Sequence, residues 1–79
     1  MLIWNGETIS MDYRKRIRDL REDHDKTQIQ IAQVLGTSQT MYARYERGAS
    51  ELPIRHLIRL AEYYGVSTDY LLGRTDRMK

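Results

Sequence analysis

The sequence predicts an all-α fold, a compact bundle of about five helices with no sheet. Apolar residues recur at helical spacing in every segment from position 13 to position 72. Glycines at positions 36, 48 and 65 follow three of these segments, where a helix often ends on a residue of positive φ. With 79 residues, the chain is long enough for one small domain.

The first helix is predicted to run from Tyr13 to about His24, with Asp12 as its N-cap. Its apolar face is formed by residues that share one side of a helix: Tyr13, Ile17, Leu20 and His24. We interpret the charged residues around this face as a mostly solvated surface with i,i+4 pairs. These residues are Arg14, Lys15, Arg18 and Arg21, with Asp19, Glu22 and Asp23 between them.

The central run TQIQIAQVLGTSQTMYARYERG predicts two short helices joined by a tight turn. Thr27 and Gln30 have the spacing of a capping box, which marks the start of the first of these helices. Gly36 ends that helix, Ser38 caps the next one, and Gly48 ends it in turn.

The second helix of this pair has two chemically different sides. Its apolar side carries Tyr42 and Tyr45 with Glu46 beside them, and the other side carries Thr40, Arg44 and Arg47, while Gln39 lies at the N-terminal tip. Glutamine can form bidentate hydrogen bonds with adenine, and arginine can form them with guanine. Threonine can contact the thymine methyl group. The pattern therefore indicates a helix-turn-helix whose second helix enters the major groove of DNA.

The last two helices are predicted to be core scaffold. A loop over residues 49–52 precedes Pro53, which suits the first turn of a helix. A wide apolar face follows, formed by Ile54, Leu57, Ile58, Leu60, Ala61 and Tyr64; Arg55 and Arg59 are expected to be solvated. Ser67 caps a short final helix, and Leu72 is expected to help complete the core. The residues predicted to be buried are Ile17, Leu20, Ile31, Ala32, Leu35, Tyr45, Leu57, Leu60, Ala61, Val66 and Leu71.

The run TQxxIAxxLGTSQTxxxRYERG resembles the helix-turn-helix of the Cro/repressor class, also called the XRE family. The similarity begins at RIRDLRED and continues through LIRLAEYYGVSTDYLLGRT. It implies a lambda-repressor-like DNA-binding domain over residues 13–75, between an N-terminal extension, 1–12, and a polar tail, 76–79. It also implies a partly buried salt bridge between Arg21 and Glu46, which would fasten the first helix to the recognition helix.

The resemblance implies sequence-specific binding of double-stranded DNA by a transcriptional regulator, a repressor in the first interpretation. The residues expected to face base edges are Ser38, Gln39, Thr40 and Arg44. Those expected near phosphates are Thr27, Gln28, Thr37, Met41 and Arg47. An alternative is the antitoxin of a toxin–antitoxin pair, which binds a partner protein and its own promoter. An enzyme is not expected, because no nucleophile stands beside a histidine and no glycine-rich phosphate loop occurs.

The family binds palindromic operators as a two-fold dimer, with half-sites about 34 Å apart. Because no separate oligomerisation domain is expected here, a weak homodimer would use the domain's own surface. The candidate residues are Leu52, Thr68, Tyr70 and Gly73.

The composition sets further expectations. There is no cysteine, which is compatible with a reducing cytoplasm, where we expect the protein to act. No apolar run approaches the ~18 residues of a membrane span, so no membrane association is expected. His24 and His56 lack a ligand cluster, so we expect no metal or cofactor. Residues 1–10, which include Trp4, have three interpretations: a flexible tail, a short strand or apolar segment packed on the domain or a partner chain, or an extension before a native start at Met11.

Overall fold

The computed structural model describes residues 12–79, and the interpretations of residues 1–10 and of Met11 lie outside the described residues. Within that range the chain forms five helices and no strand, which confirms the predicted fold class. The helices are α1 Tyr13–Asp23, α2 Gln28–Leu35, α3 Gln39–Arg47, α4 Ile54–Tyr64 and α5 Thr68–Leu71.

Side-chain caps start four of the five helices. Asp12 accepts the backbone N–H of Arg14 at 2.9 Å, and Ser67 accepts that of Tyr70 at 3.0 Å. Thr27 and Ser38 cap α2 and α3 in the same way. For α4, no side chain makes a capping hydrogen bond, because Pro53 holds the cap position. The caps thus lie at the residues that the sequence singled out.

The core lies where α2 and α3 pack against α1 and α4, with α5 closing one end against α4 and α1. Nine of the eleven residues predicted to be buried are buried, and Tyr42 and Tyr64 join them. The prediction was wrong for Leu57 and Val66, which are only half-buried at the edge of the core, and Leu72 is also half-buried.

The reason is the width of the apolar face of α4, which exceeds the surface that the other helices cover. Ile54 is 74% exposed and Ile58 is 47% exposed, although both belong to the face predicted to be apolar. Leu57 and Val66 pack against the edge of the core and remain partly exposed.

Arg16 is a buried charge that helical periodicity did not reveal. Arg16 is 4% exposed. Its guanidinium carbon lies 3.9 Å from the centre of the Tyr70 ring, which is a cation–π contact. One of its terminal nitrogens is 3.7 Å from a carboxylate oxygen of Asp76. Nearby, the Ser67 N–H donates to the Met78 carbonyl at 2.6 Å. The polar C-terminal segment therefore folds back over α5 towards α1.

Candidate nucleic-acid interface

The turn between α2 and α3 is formed by a left-handed glycine. Gly36 has φ of 72°, and the N–H of Thr37 donates to the carbonyl of Ala32 at 2.9 Å, which closes the end of α2. A Cβ atom at Gly36 would meet no atom within 4 Å, so the position requires glycine for its backbone conformation alone. Ser38 then starts α3 two residues later. The short turn fixes the angle at which α3 leaves α2.

One side of α3 is buried and holds the helix against the domain. Tyr42 is fully buried and Tyr45 is 3% exposed, with their rings edge to face at a centroid separation of 6.4 Å. On the other side, Gln39, Thr40 and Arg47 are exposed to solvent. The side that remains outside is thus the polar one, and it starts at the N-terminal tip of α3.

A chain of hydrogen bonds links this tip to α1. The amide nitrogen of Gln39 donates to the amide oxygen of Gln28 at 2.7 Å, and the nitrogen of Gln28 donates to Oε1 of Glu46 at 3.1 Å. Arg21 donates to both oxygens of Glu46, from Nε at 2.7 Å and from Nη2 at 3.0 Å. Its Nη1 also donates to the Lys26 carbonyl at 3.0 Å. The network therefore ties α1, α2 and both ends of α3 together.

The charge of Glu46 is stabilised inside this network. Burial alone would raise the pKa of its carboxyl group, but the hydrogen bonds it accepts, led by those from Arg21, outweigh that effect and lower the pKa. The same contact raises the pKa of the Arg21 guanidinium, despite its partial burial. Both groups therefore remain charged, and the forked geometry of the pair sets the distance between α1 and α3.

The other candidate base-reading residues occupy two environments. Ser38 is exposed, and its hydroxyl accepts the N–H of Met41 at 3.1 Å as the cap of α3. The side chain of Arg44 is half-buried and turns towards the loop after α3. There its Nε donates to the Ser50 hydroxyl at 3.0 Å and its Nη2 donates to the Ala49 carbonyl at 3.3 Å. The loop after α3 therefore holds the side chain of Arg44 through two hydrogen bonds.

The candidate phosphate-binding residues lie around the two helix starts. Thr27 is exposed, and its hydroxyl accepts the N–H of Gln30 at 3.1 Å. Gln28 and Thr37 are half-buried, while Arg47 is exposed near the end of α3. Met41 is half-buried because its side chain packs against the core.

The family of this chain follows from a comparison with models of known protein families. The helix-turn-helix family model matches residues 17–71, which include all of α2, α3, α4 and α5. The chain belongs to this family. Its helix-turn-helix is of the XRE, Cro/repressor type, which confirms the resemblance seen in the sequence.

Individual relatives of this helix-turn-helix protein are regulators and repressors by name. Over 64 residues, 81% of the chain, it is 41% identical to the uncharacterized HTH-type transcriptional regulator YobD of Bacillus subtilis (strain 168). Over the same length it is 34% identical to the cryptic phage CTXphi transcriptional repressor RstR of Vibrio cholerae. In both cases the chain spans 57% of the length of the relative.

A solved structure shares the fold. The P22 c2 repressor protein, crystallised in complex with the synthetic operator 9T in the presence of Tl+, superposes with a TM-score of 0.72 at 27% identity. The match covers 80% of this chain and 96% of the repressor chain. This chain therefore shares the fold of that repressor protein.

The candidate dimerisation residues of this helix-turn-helix protein differ in exposure. Leu52 is half-buried against the core, and its N–H donates to the Tyr13 hydroxyl at 3.4 Å. Thr68 and Tyr70 are half-buried on α5, whereas Gly73 is buried with φ of 77°. Leu52, Thr68 and Tyr70 therefore still present surface to a partner, and Gly73 presents little.

Two further findings concern the described part of the chain. Among residues 12–79, no group of three or more histidine, cysteine or acidic residues is placed to hold a metal ion. No helix in that range combines the length and the apolar character needed to cross a membrane.

Proposed function

We propose that this chain binds double-stranded DNA in a sequence-specific manner as a transcriptional regulator, acting as a repressor and not as an enzyme. In this proposal, the helix of residues 38–47 enters the major groove of DNA in the cytoplasm. The proposal rests on the difference between the two sides of α3, one buried in the core and the other polar and exposed. Tyr42 and Tyr45 anchor one side in the core, while Gln39 leads an exposed polar side whose tip is held by Gln28.

The base-reading roles follow from the donors and acceptors that remain unused. Gln39 gives one N–H to Gln28, so its other N–H and its oxygen can bond to adenine. Arg44 uses two of its five N–H donors on the loop, and the others can reach guanine. Thr40 and Ser38 lie on the same exposed side and would contact base edges as well.

The phosphate contacts would surround the base contacts. Thr27 and Gln28 lie at the N-terminus of α2, where the free backbone N–H groups and the helix dipole favour an anion. Thr37 and Met41 would lie near phosphate on either side of Ser38, and Arg47 would add a cation further along α3. Such contacts fix the position of the protein on DNA without reading sequence.

One recognition helix reads only a few base pairs, so we further propose a weak homodimer on a palindromic operator. Two copies would place their α3 helices about 34 Å apart, in successive major grooves on one side of the duplex. Leu52, Thr68, Tyr70 and the Gly73 end of α5 are the surface proposed for this contact.

A second candidate is the antitoxin of a toxin–antitoxin pair. It is supported by 33% identity over 64 residues to the antitoxin PezA of Streptococcus pneumoniae serotype 4, of which the chain spans 40%. A neighbouring gene whose expression arrests growth, with rescue by this chain, would favour the antitoxin. A neighbour without toxicity would favour the regulator alone.

The experiment that tests the proposed function is selection of bound duplexes from a random DNA pool. We expect the chain to enrich a short palindrome over successive rounds. A pool that stays random, although the protein is folded, would refute the proposal.

A further inference from the structure

One face of α4 is apolar and remains exposed to solvent. Ile54 is 74% exposed, and Ile58, one helical turn later, is 47% exposed. The face continues into an open groove, whose lining includes Ile58, Ala61, Gly65 and Val66. We call the surface formed by these five residues the α4 strip. Although α4 packs against α2 and α5, neither helix covers the two isoleucines.

The α4 strip suits an apolar occupant better than a polyanion. A single exposed isoleucine is common, but two on neighbouring turns beside an open groove form a continuous patch, which gains stability when apolar side chains cover it. The charged residues around the strip have both signs. Arg55 and Arg59 follow the two isoleucines in the sequence, Glu62 lines the groove, and all three are exposed.

The chain itself contains a segment of the required chemistry. Residues 1–4, with the sequence MLIW, are the only four consecutive apolar residues in the chain, and they precede the described residues 12–79. They include Trp4, the only tryptophan. A domain of this size buries a small core, so each additional apolar contact adds noticeably to its stability.

The start of α1 lies close to the start of the α4 strip. The N–H of Leu52 donates to the hydroxyl of Tyr13 at 3.4 Å, so the first residue of α1 reaches the loop that leads into α4. Ile54 follows Leu52 by two positions. Residues 5–11, which join Trp4 to the domain, span up to about 23 Å when extended. From Ile54 to Ile58 the helix rises only about 6 Å. Residues 1–4 can therefore reach both isoleucines of their own chain.

We propose that residues 1–4 dock on the α4 strip of the same chain, with the indole ring of Trp4 against Ile54 and Ile58. The covalent connection favours this occupant over a second copy, because it keeps the segment at a high effective concentration beside the strip. The contact involves no DNA, so the inference is independent of the proposed function. It gives a role to apolar residues at both places that the core of the domain does not use.

Fluorescence of Trp4 tests the contact from the side of the strip, because indole emission moves to shorter wavelength when the ring leaves water. We expect the folded full chain to emit at shorter wavelength than the same chain in urea. Ile54→Asp and Ile58→Gln should each move the emission towards the unfolded value. Ile29→Asp is the matched control, since Ile29 is 57% exposed and lies, like Ile54, in the first turn of a helix. Circular dichroism shows that each variant is folded.

A second variant tests the contact from the side of the segment. Leu2→Asp combined with Ile3→Asp leaves the described domain and Trp4 unaltered. We expect this variant to emit near the unfolded wavelength and its thermal midpoint to fall by about 4–8 °C, the change that one modest contact produces in a domain of this size. Adding Ile54→Asp to it should cause little further change, because the two sides form one contact.

An emission maximum that is equal in the folded and unfolded chain would overturn the proposal. So would a short-wavelength emission that Ile54→Asp and Ile58→Gln leave unaltered, or that Ile29→Asp changes as much. An emission that moves with protein concentration would overturn docking within one chain and would indicate a second copy as the occupant. Failure of the chain to bind DNA would refute the proposed function but would not alter these results.

Discussion

Glu46 connects α1, α2 and α3 through the hydrogen bonds that its carboxylate accepts. It is 8% exposed, it neutralises Arg21 from α1, and it accepts a hydrogen bond from Gln28 of α2. Its removal would leave a guanidinium group partly buried and without its partner, which costs far more than the loss of an exposed ion pair.

We therefore expect Glu46→Ala to lower the free energy of unfolding by about 3 kcal/mol. Urea denaturation measures this change. Asp19→Ala is the matched control, because it breaks the exposed Lys15–Asp19 pair and should cost less than about 1 kcal/mol. A double-mutant cycle of Arg21 and Glu46 that shows no coupling would contradict the account.

The lowered pKa of Glu46 also predicts a pH dependence. Since the folded state holds this carboxyl group below its ordinary pKa of 4.5, its contribution to stability is complete above that pH. The contribution is lost as the pH falls through the lower folded value. The difference in unfolding free energy between the unaltered protein and Glu46→Gln should thus be constant near neutrality and shrink in acid. A difference that stays constant under strongly acid conditions would refute this assignment.

Arg44 and Arg47 should have different effects on DNA binding. Arg44→Ala should relax base preference at one position per half-site, at a cost of ~1–3 kcal/mol. Arg47→Ala should weaken binding to all sequences alike and lower the salt slope. Repeating the DNA selection with each variant distinguishes the two roles. If the selected DNA sequence changes for Arg47→Ala, the phosphate role of Arg47 is contradicted. If it stays the same for Arg44→Ala, the base-reading role of Arg44 is contradicted.

At the scale of helices, the sequence predicted the ends of the helices more accurately than the burial of their residues. Caps and glycines act locally, so Ser38 and Gly36 could be recognised from their neighbours alone. The burial of Leu57 and Val66 was misjudged because helical spacing shows which face is apolar but does not show how much of it other helices cover. Burial of Arg16 depends on Tyr70, which is 54 positions away in sequence, so no local pattern announces it.

The left-handed turn between α2 and α3 gives a prediction at this scale. Gly36→Ala should lower the free energy of unfolding by roughly 1–2 kcal/mol, because a Cβ disfavours positive φ although it meets no neighbour here. Gln33→Ala, at an exposed position of α2, is the control and should change stability by less than about 0.5 kcal/mol. Chemical denaturation of both variants provides the comparison. Equal stability of Gly36→Ala and the unaltered protein would show that the turn does not require a glycine.

At the scale of the whole molecule, α1 to α5 form one unit, in which α3, the helix proposed to read DNA, is tied to α1 by the Arg21–Glu46 pair. The Arg21–Glu46 pair was anticipated only through the family resemblance, since its members are 25 positions apart. The network that extends it to Gln39 was not anticipated, because each glutamine taken alone is typical of an exposed polar residue.

The proposed dimer predicts cooperative binding. A small contact surface gives weak association in solution, so DNA would complete the dimer by mass action. We expect a selected palindrome to bind two chains much more tightly than its isolated half-site binds one, as gel-shift titrations would show. Equal affinity, with one chain bound to each duplex, would rule out the dimer.

The central claim is that α3 reads base sequence, and the ratio of two affinities tests it most directly. The selected duplex is titrated beside a duplex of the same length and composition with its bases permuted, at one physiological salt concentration. We predict that the selected duplex binds at least about 1,000-fold more tightly. Replacing Gln39 and Arg44 by alanine should lower this ratio, and Arg47→Ala should leave it unchanged. Equal affinity of the unaltered protein for the two duplexes would contradict the claim.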